Sequence, residues 1–148
     1  MTGPHFASFY KLSTTTLYGI LALRAEVFVV EQDCPYQDLD GKDLQSTHVW
    51  YEVEGHPVAY ARLLPPGSAY AEAGIGRVVT AQRVRRTGLG KELMRVSIVR
   101  AQMQWPGEDL VIMAQSYLVK FYQEFGFELE RDEFLEDGIP HRWMRLIA

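Results

Sequence analysis

The chain holds 148 residues, 47% of them hydrophobic and 23% charged, the proportions of one globular domain (residues 1–148) that can bury a core without disulfide or metal staples. They exclude collagen-like, disulfide-scaffold and intrinsically disordered classes. Its 15 Lys and Arg against 19 Asp and Glu give a formal net charge of −4, which argues against a general nucleic-acid binder and favours small-molecule partners, cationic ones included.

Residues 6–12 alternate loosely and read as a first strand, and Ser13 to Thr16 offer helix N-caps. Leu17, Ile20, Leu21, Arg24 and Phe28 follow at helical spacing, which predicts a helix of about four turns. This stretch is the most apolar in the chain. Arg24 and Glu26 interrupt it, and it falls short of the roughly 18 residues a membrane span needs. Residues 1–12 lack a basic region followed by an apolar one, so no secretory signal is expected. Residues 31–46 are polar, carry Pro35 and Gly41, and read as a loop. Cys34, the single cysteine, cannot form an intramolecular disulfide and fits a reducing cytoplasm.

Residues 47–54 and 58–64 are rich in β-branched and aromatic side chains and flank Gly55-His56-Pro57, a hairpin pattern. A strand at 74–80 leads into an arginine-rich loop, a helix to about Gln104, and the wholly apolar run 110–114, as in a strand covered on both faces. A short helix at 117–125 ends at Gly126 in the C-cap role. Strands at 127–134 and 142–147 close the chain, joined by the turn at 136–140. The order implies a mixed sheet with helices on both faces.

The loop Arg85-Arg86-Thr87-Gly88-Leu89-Gly90 lies between a strand and a helix start. Free N–H groups and partial positive charge at a helix N-terminus, with glycines that admit close approach, make a phosphate cradle. Neither the P-loop nor the Rossmann spacing is met, because Glu92 follows Gly90-Lys91 and position 93 is Leu. The four histidines have no ligand spacing to one another or to Cys34, so no metal is expected.

Arg-x-x-Gly-x-Gly, spelled by Arg85, Gly88 and Gly90, resembles the acyl-CoA pyrophosphate loop of the GNAT acetyltransferase superfamily. The segment 114–127, with Tyr122 and then Gly126-Phe127, resembles that superfamily's later signature. Residues 23–43, Gly76-Arg77-Val78-Val79 and Asp137-Gly138-Ile139-Pro140-His141 resemble its ElaA-like branch. The resemblance implies a GNAT-type, mostly antiparallel mixed sheet and an acetyl-CoA-dependent N-acetyltransferase acting on a primary amine by direct attack. It implies cofactor contacts from Val78, Val79, Thr80, the loop 85–90 (Arg85, Arg86, Thr87, Gly88, Leu89, Gly90) and Gln115, with Arg83 just outside the loop. Tyr122 matches the residue that protonates the departing thiolate; a phenol is protonated at neutral pH and can donate. The amine must lose a proton. Glu31, His48, Glu52, Glu72 and His141 are the candidate bases, His141 first because it follows the branch's turn. The first helix flanks the acceptor cleft in this fold, which points to Arg24, Phe28 and Gln32, with Arg77 alongside. A buried Arg24 would need a partner, and Asp38, Asp40 or Asp43 could supply one instead. The acidic loop 33–43 hints at a cationic acceptor. The alternative reading is a non-catalytic acyl-CoA-binding sensor. The pattern leaves room for a homodimer.

Overall fold

The computed structural model describes all 148 residues. Eight strands form one sheet: β1 (Thr2–Ser8), β2 (Thr47–Val53), β3 (His56–Leu64), β4 (Ala73–Thr80), β5 (Leu110–Gln115), β6 (Glu128–Leu129), β7 (Phe134–Glu136) and β8 (Ile139–Leu146). Their order is β1-β2-β3-β4-β5-β8-β6, with β7 also paired to β8. Every pairing is antiparallel except β4 with β5. The helices are α1 (Thr14–Arg24), α2 (Leu89–Gln104) and α3 (Val119–Gln123). No helix is long and apolar enough to cross a membrane.

Alternation along β2 and β3 divides the core. Val49, Tyr51, Ala59 and Ala61 pack with Leu93, Met94 and Ile98 of α2, whereas Trp50 and Tyr60 pack with Ile20 and Leu23 of α1. Successive strand residues face opposite sides, so α1 and α2 cover opposite faces, as expected.

The parallel pair matters most. β4 and β5 are in register only at Ala73↔Leu110 and Gly74↔Val111. Beyond Gly74 they diverge, while β4 stays paired to β3 as far as Thr80. Between Tyr60/Arg62 of β3 the register slips by one residue, which places Arg77 in a bulge with φ 50°. A bulge bends and twists its strand, and here it accompanies the divergence. The β5-facing edge of β4 beyond Gly74 is thus left without a strand partner.

Several boundaries differ from expectation. β1 begins at Thr2, and residues 9–11, expected as strand, make a 3₁₀ turn. Ser13 caps α1 by accepting from the Thr16 N–H at 3.0 Å. That helix gives way at Ala25–Glu31 to a π-helical segment, where the N–H of Gln32 donates to Val27 O and that of Cys34 to Val29 O. The segment Ala-Glu-Val-Phe-Val-Val-Glu is rich in β-branched residues, weak α-formers. The short helix expected at 117–125 is a 3₁₀ turn at Ser116–Leu118 followed by α3. The strand expected at 127–134 is split into the two residues of β6 and, at Phe134, the start of β7, with the charged residues 130–133 between them. Asp137-Gly138 alone turns the chain, with φ 50° and 77°, so β8 starts at Ile139 and absorbs Pro140.

Candidate active site

The divergence of β4 and β5 opens a cavity of about 450 Å³. Gly76 to Thr80 of β4 wall one side, and Ile112, Met113 and Gln115 of β5 the other. Wide i→i−5 turns stack residues 27 and 28 over 31 and 32, and all four reach the cavity from the π-helical arm. Cys34, Tyr36, Tyr122, Glu136, Asp137 and His141 also line it.

At one end lies the glycine loop. Gly88 is the N-cap of α2 with φ 86°, and an added Cβ would meet no atom within 4 Å. The first N–H with an intrahelical acceptor is that of Glu92, on the Gly88 carbonyl at 3.1 Å. Those of Leu89, Gly90 and Lys91 have no such bond, as at any helix start. A free strand edge leading to an open, glycine-lined helix N-terminus fits an acyl-CoA: an amide-bearing arm along β4 and a diphosphate at the loop.

Of the loop residues, Arg85 and Gly90 line the cavity; Arg86, Thr87, Gly88 and Leu89 do not. The Leu89 side chain is part of the core, and the Thr87 hydroxyl donates to the Val84 carbonyl. Arg85 pairs with both Glu31 oxygens, at 2.6 and 3.0 Å, and donates to the Thr80 carbonyl at 3.0 Å. It therefore clasps the π-helical arm to the end of β4. Arg83 is exposed in a separate hollow with Glu26 and His56. Val78, Val79 and Thr80 lie on the stretch of β4 whose β5-facing edge is free. Gln115 exchanges hydrogen bonds with Gln32, at 3.2 and 3.4 Å, across the cavity.

Tyr122 is 4% exposed yet lines the cavity. Its ring packs edge-on to Phe121 and Phe127. Burial pushes its phenol well above the ordinary value, with a smaller contribution from Tyr117, and no hydrogen bond contributes. The hydroxyl is a donor without a protein partner.

The candidate bases separate clearly. His48 is buried, bonded through Nδ1 to the Tyr60 hydroxyl at 2.6 Å and through Nε2 to the Asp43 carbonyl at 2.9 Å. Glu52 accepts from the Trp50 indole, and Glu72 pairs with Arg145. Glu31 is held by Arg85. In His141, Nδ1 lies 2.7 Å from the Ile139 carbonyl. A carbonyl only accepts, so Nδ1 carries a proton, and in the neutral ring Nε2 is the atom with the lone pair. Phe134 stacks on the ring, with centroids 6.0 Å apart.

Arg24 is a correction. Expected at the acceptor cleft, it is fully buried and absent from the cavity wall. It pairs instead with Asp38 at 2.9 Å and Asp43 at 2.8 Å. Arg62, which the sequence reading did not single out, joins Asp40 at 2.6 Å and Asp43 at 3.0 Å. Arg77 lines the cavity and also reaches Asp38 at 2.8 Å and Asp40 at 3.3 Å. Three arginines thus pair with Asp38, Asp40 and Asp43, three of the four aspartates in the loop that suggested a cationic acceptor, so most of its acidity is structural. Phe28 and Gln32 do reach the cavity.

Residues 14–148 match the family model described as an acetyltransferase (GNAT) domain. The chain is 41% identical over 133 residues to protein ElaA of Escherichia coli, covering 88% of this chain and 87% of that protein. The crystal structure of Escherichia coli ElaA superposes with a TM-score of 0.92 at 37% identity, over 98% of this chain and 99% of that one. An acyl-CoA N-acyltransferase from Pseudomonas aeruginosa superposes equally well, with a TM-score of 0.92 at 38% identity, over 97% and 99% of the two chains. The chain therefore belongs to the GNAT acyltransferase superfamily, in its ElaA-like branch, a fold that implies an acyl-CoA cosubstrate.

Proposed function

We propose that the protein transfers an acetyl group from acetyl-CoA to a primary amine by direct attack. The observation that carries the reading is the Tyr122 hydroxyl, a donor that no protein group engages on an otherwise buried side chain, in the same cavity as the free Nε2 of His141. Acetyl-CoA supplies the activated acyl group as a thioester. The N–H groups of Leu89, Gly90 and Lys91 and the guanidinium of Arg86 hold its diphosphate, and the free edge of Val78, Val79 and Thr80 pairs with its amide-bearing arm. N–H groups on that edge also oppose the charge that develops on the carbonyl oxygen. Gln115 exchanges its bond to Gln32 for one to the arm.

His141 Nε2 accepts the proton that the amine loses as its nitrogen bonds the acyl carbon. The carbon–sulfur bond breaks, and the Tyr122 hydroxyl donates its proton to the leaving thiolate. Burial keeps Tyr122 protonated at neutral pH, which suits an acid of this kind. Arg85, bound to Glu31 and Thr80, positions the cleft walls.

Free-thiol release from acetyl-CoA with a panel of amines tests the reading; release no faster than with buffer alone would refute it. Gly88→Asp tests the cradle. The position is open and left-handed, a conformation Asp tolerates better than most residues, so the fold survives. The new carboxylate faces the diphosphate, and calorimetry should show acetyl-CoA binding abolished.

A further inference from the structure

We propose that the acceptor is an amine carrying a second positive charge, and that Glu136 and Asp137 hold that charge while the neutral amino group reacts. This rests on the acyl-transfer reading above and names the substrate class it uses.

The charge balance of the cavity points there. Five of its lining residues are acidic or basic at neutral pH: Glu31, Arg77, Arg85, Glu136 and Asp137. Glu31 and Arg85 neutralise each other. Arg77 is neutralised by Asp38 and Asp40 in the ion-pair cluster behind the wall. Glu136 and Asp137 remain, with no cation in ion-pair reach. A cavity walled by apolar groups with uncompensated charge of one sign draws in ligands of the opposite sign.

The backbone that carries the two exposed carboxylates is held in place. Both sit at the tip of the β7–β8 hairpin, where Glu136 pairs with Ile139 across the Asp137-Gly138 turn. The Cys34 thiol donates to the Asp137 carbonyl at 3.5 Å. Next to the turn, His141 Nδ1 donates to Ile139 O, so the hairpin that presents the carboxylates also fixes the candidate base.

The tip also lies away from the diphosphate. Thr80 and Arg85 mark the glycine-loop end of the cavity. The hairpin tip meets Cys34, and Tyr36 next to it lies against Arg77, whose guanidinium is 5.6 Å from the ring centre. The carboxylates thus face the acceptor's approach and spare the cofactor's phosphates.

A second, independent observation points to a ligand in this cavity: Tyr122, a side chain more than nine-tenths buried, lines it with a hydroxyl that no protein group engages. An acceptor with one ammonium at the hairpin and one free amine near His141 Nε2 engages the carboxylates and the base together, and leaves the Tyr122 hydroxyl to the thioester sulfur. A carboxylate at the acceptor's far end would be repelled.

The experiment compares putrescine, butylamine and γ-aminobutyrate as acceptors of equal carbon-chain length, with acetyl-CoA as donor and free thiol as readout. In the unaltered protein kcat/KM should fall in the order written. The Glu136→Gln/Asp137→Asn double variant should lower the putrescine-to-butylamine ratio roughly tenfold, the size of two partly exposed ion pairs. Asn keeps the left-handed turn, and Glu136→Gln alone, outside the turn, should lower the ratio by less. Added salt should lower it as well. Equal use of putrescine and butylamine by the unaltered protein, or a ratio that the double variant keeps, overturns the proposal and leaves acyl transfer standing. No thiol release with any of the three amines, while calorimetry shows acetyl-CoA bound, overturns the acyl-transfer reading and this proposal with it.

Discussion

Tyr122 and His141 reach one cavity from different elements, α3 and β8, and neither is spent on a structural bond at its working atom. Tyr122→Phe removes one oxygen that no protein group engages, and the remaining ring keeps its edge contacts with Phe121 and Phe127. The melting temperature should hardly move. If the hydroxyl protonates the departing thiolate, kcat should fall about 10²-fold, the lower end for positioned acid catalysis. A thiolate is a good leaving group, which is why the lower end applies. Acetyl-CoA affinity should stay near its original value, because the bond strengthens only as charge builds on sulfur. Steady-state kinetics beside a binding isotherm separates the two effects. A kcat within a factor of about three of the original would make Tyr122 a packing residue.

The loop of residues 33–43 is bolted to α1, β3 and β4 by the Arg24, Arg62 and Arg77 pairs, and it carries Cys34 and Tyr36 to the cavity wall. Asp43 serves two of those arginines, so Asp43→Asn leaves Arg24 to Asp38 and Arg62 to Asp40 and puts the buried cluster one negative charge short. Breaking a buried pair this way costs about 3–5 kcal/mol, to be read by denaturant unfolding. The same region sets an acid limit. Asp40 and Asp43, despite burial, are held below the usual carboxylate range by Arg62 and Arg24 respectively. Their contribution is present above about pH 4, the unfolded value, and is lost as the pH falls further. Burial also lowers the His48 imidazole, so below about pH 6.5 the unfolded chain takes a proton that the folded one refuses. Stability should therefore start to fall near pH 6.5, with a slope approaching 1.4 kcal/mol per pH unit per proton. A melting temperature flat between pH 7 and 5 would contradict this assignment for His48.

Much of this was readable from residue types. A charge on the apolar face of a helix demanded partners for Arg24, and Asp38 and Asp43 supply them. The glycine loop was readable because its conformation is local. The π-helical turn at Ala25–Glu31 was not, since periodicity over one or two turns does not separate i→i−4 from i→i−5 bonding. Nor was the clasp between Arg85 and Glu31, which joins residues 54 apart in sequence. The full roles of Asp38, Asp40 and Asp43 were not readable, since their charge was counted without the arginines that the fold brings to them. The hairpin carboxylates gained their meaning only once every other charge on the cavity wall had found a partner.

Seen whole, the sheet is two half-sheets, β1 to β4 and β5 with β6 to β8, meeting at two residue pairs. A ligand lying between them adds contacts to both. Acetyl-CoA at 100 times its Kd should stabilise the protein by about 2.7 kcal/mol, a rise of several degrees in melting temperature for a chain of this size. Amides on the β5-facing edge of β4 beyond Gly74 should gain protection from hydrogen exchange at the same time. No shift with millimolar acetyl-CoA or CoA would remove the basis for a cofactor site in the cleft. The meeting point itself has no slack. A Cβ on Gly74 would lie 2.9 Å from the Tyr70 ring and 3.3 Å from the Val111 carbonyl, and Tyr70 in turn braces Trp143 of the other half-sheet edge-on, with centroids 5.0 Å apart. Gly74→Ala should cost about 1–3 kcal/mol of overpacking, seen as a lower melting temperature. It should also weaken acetyl-CoA binding from outside the cavity. One hydrogen's worth of space at that joint sets the angle between the halves, and with it the width of the slot into which the cofactor slides.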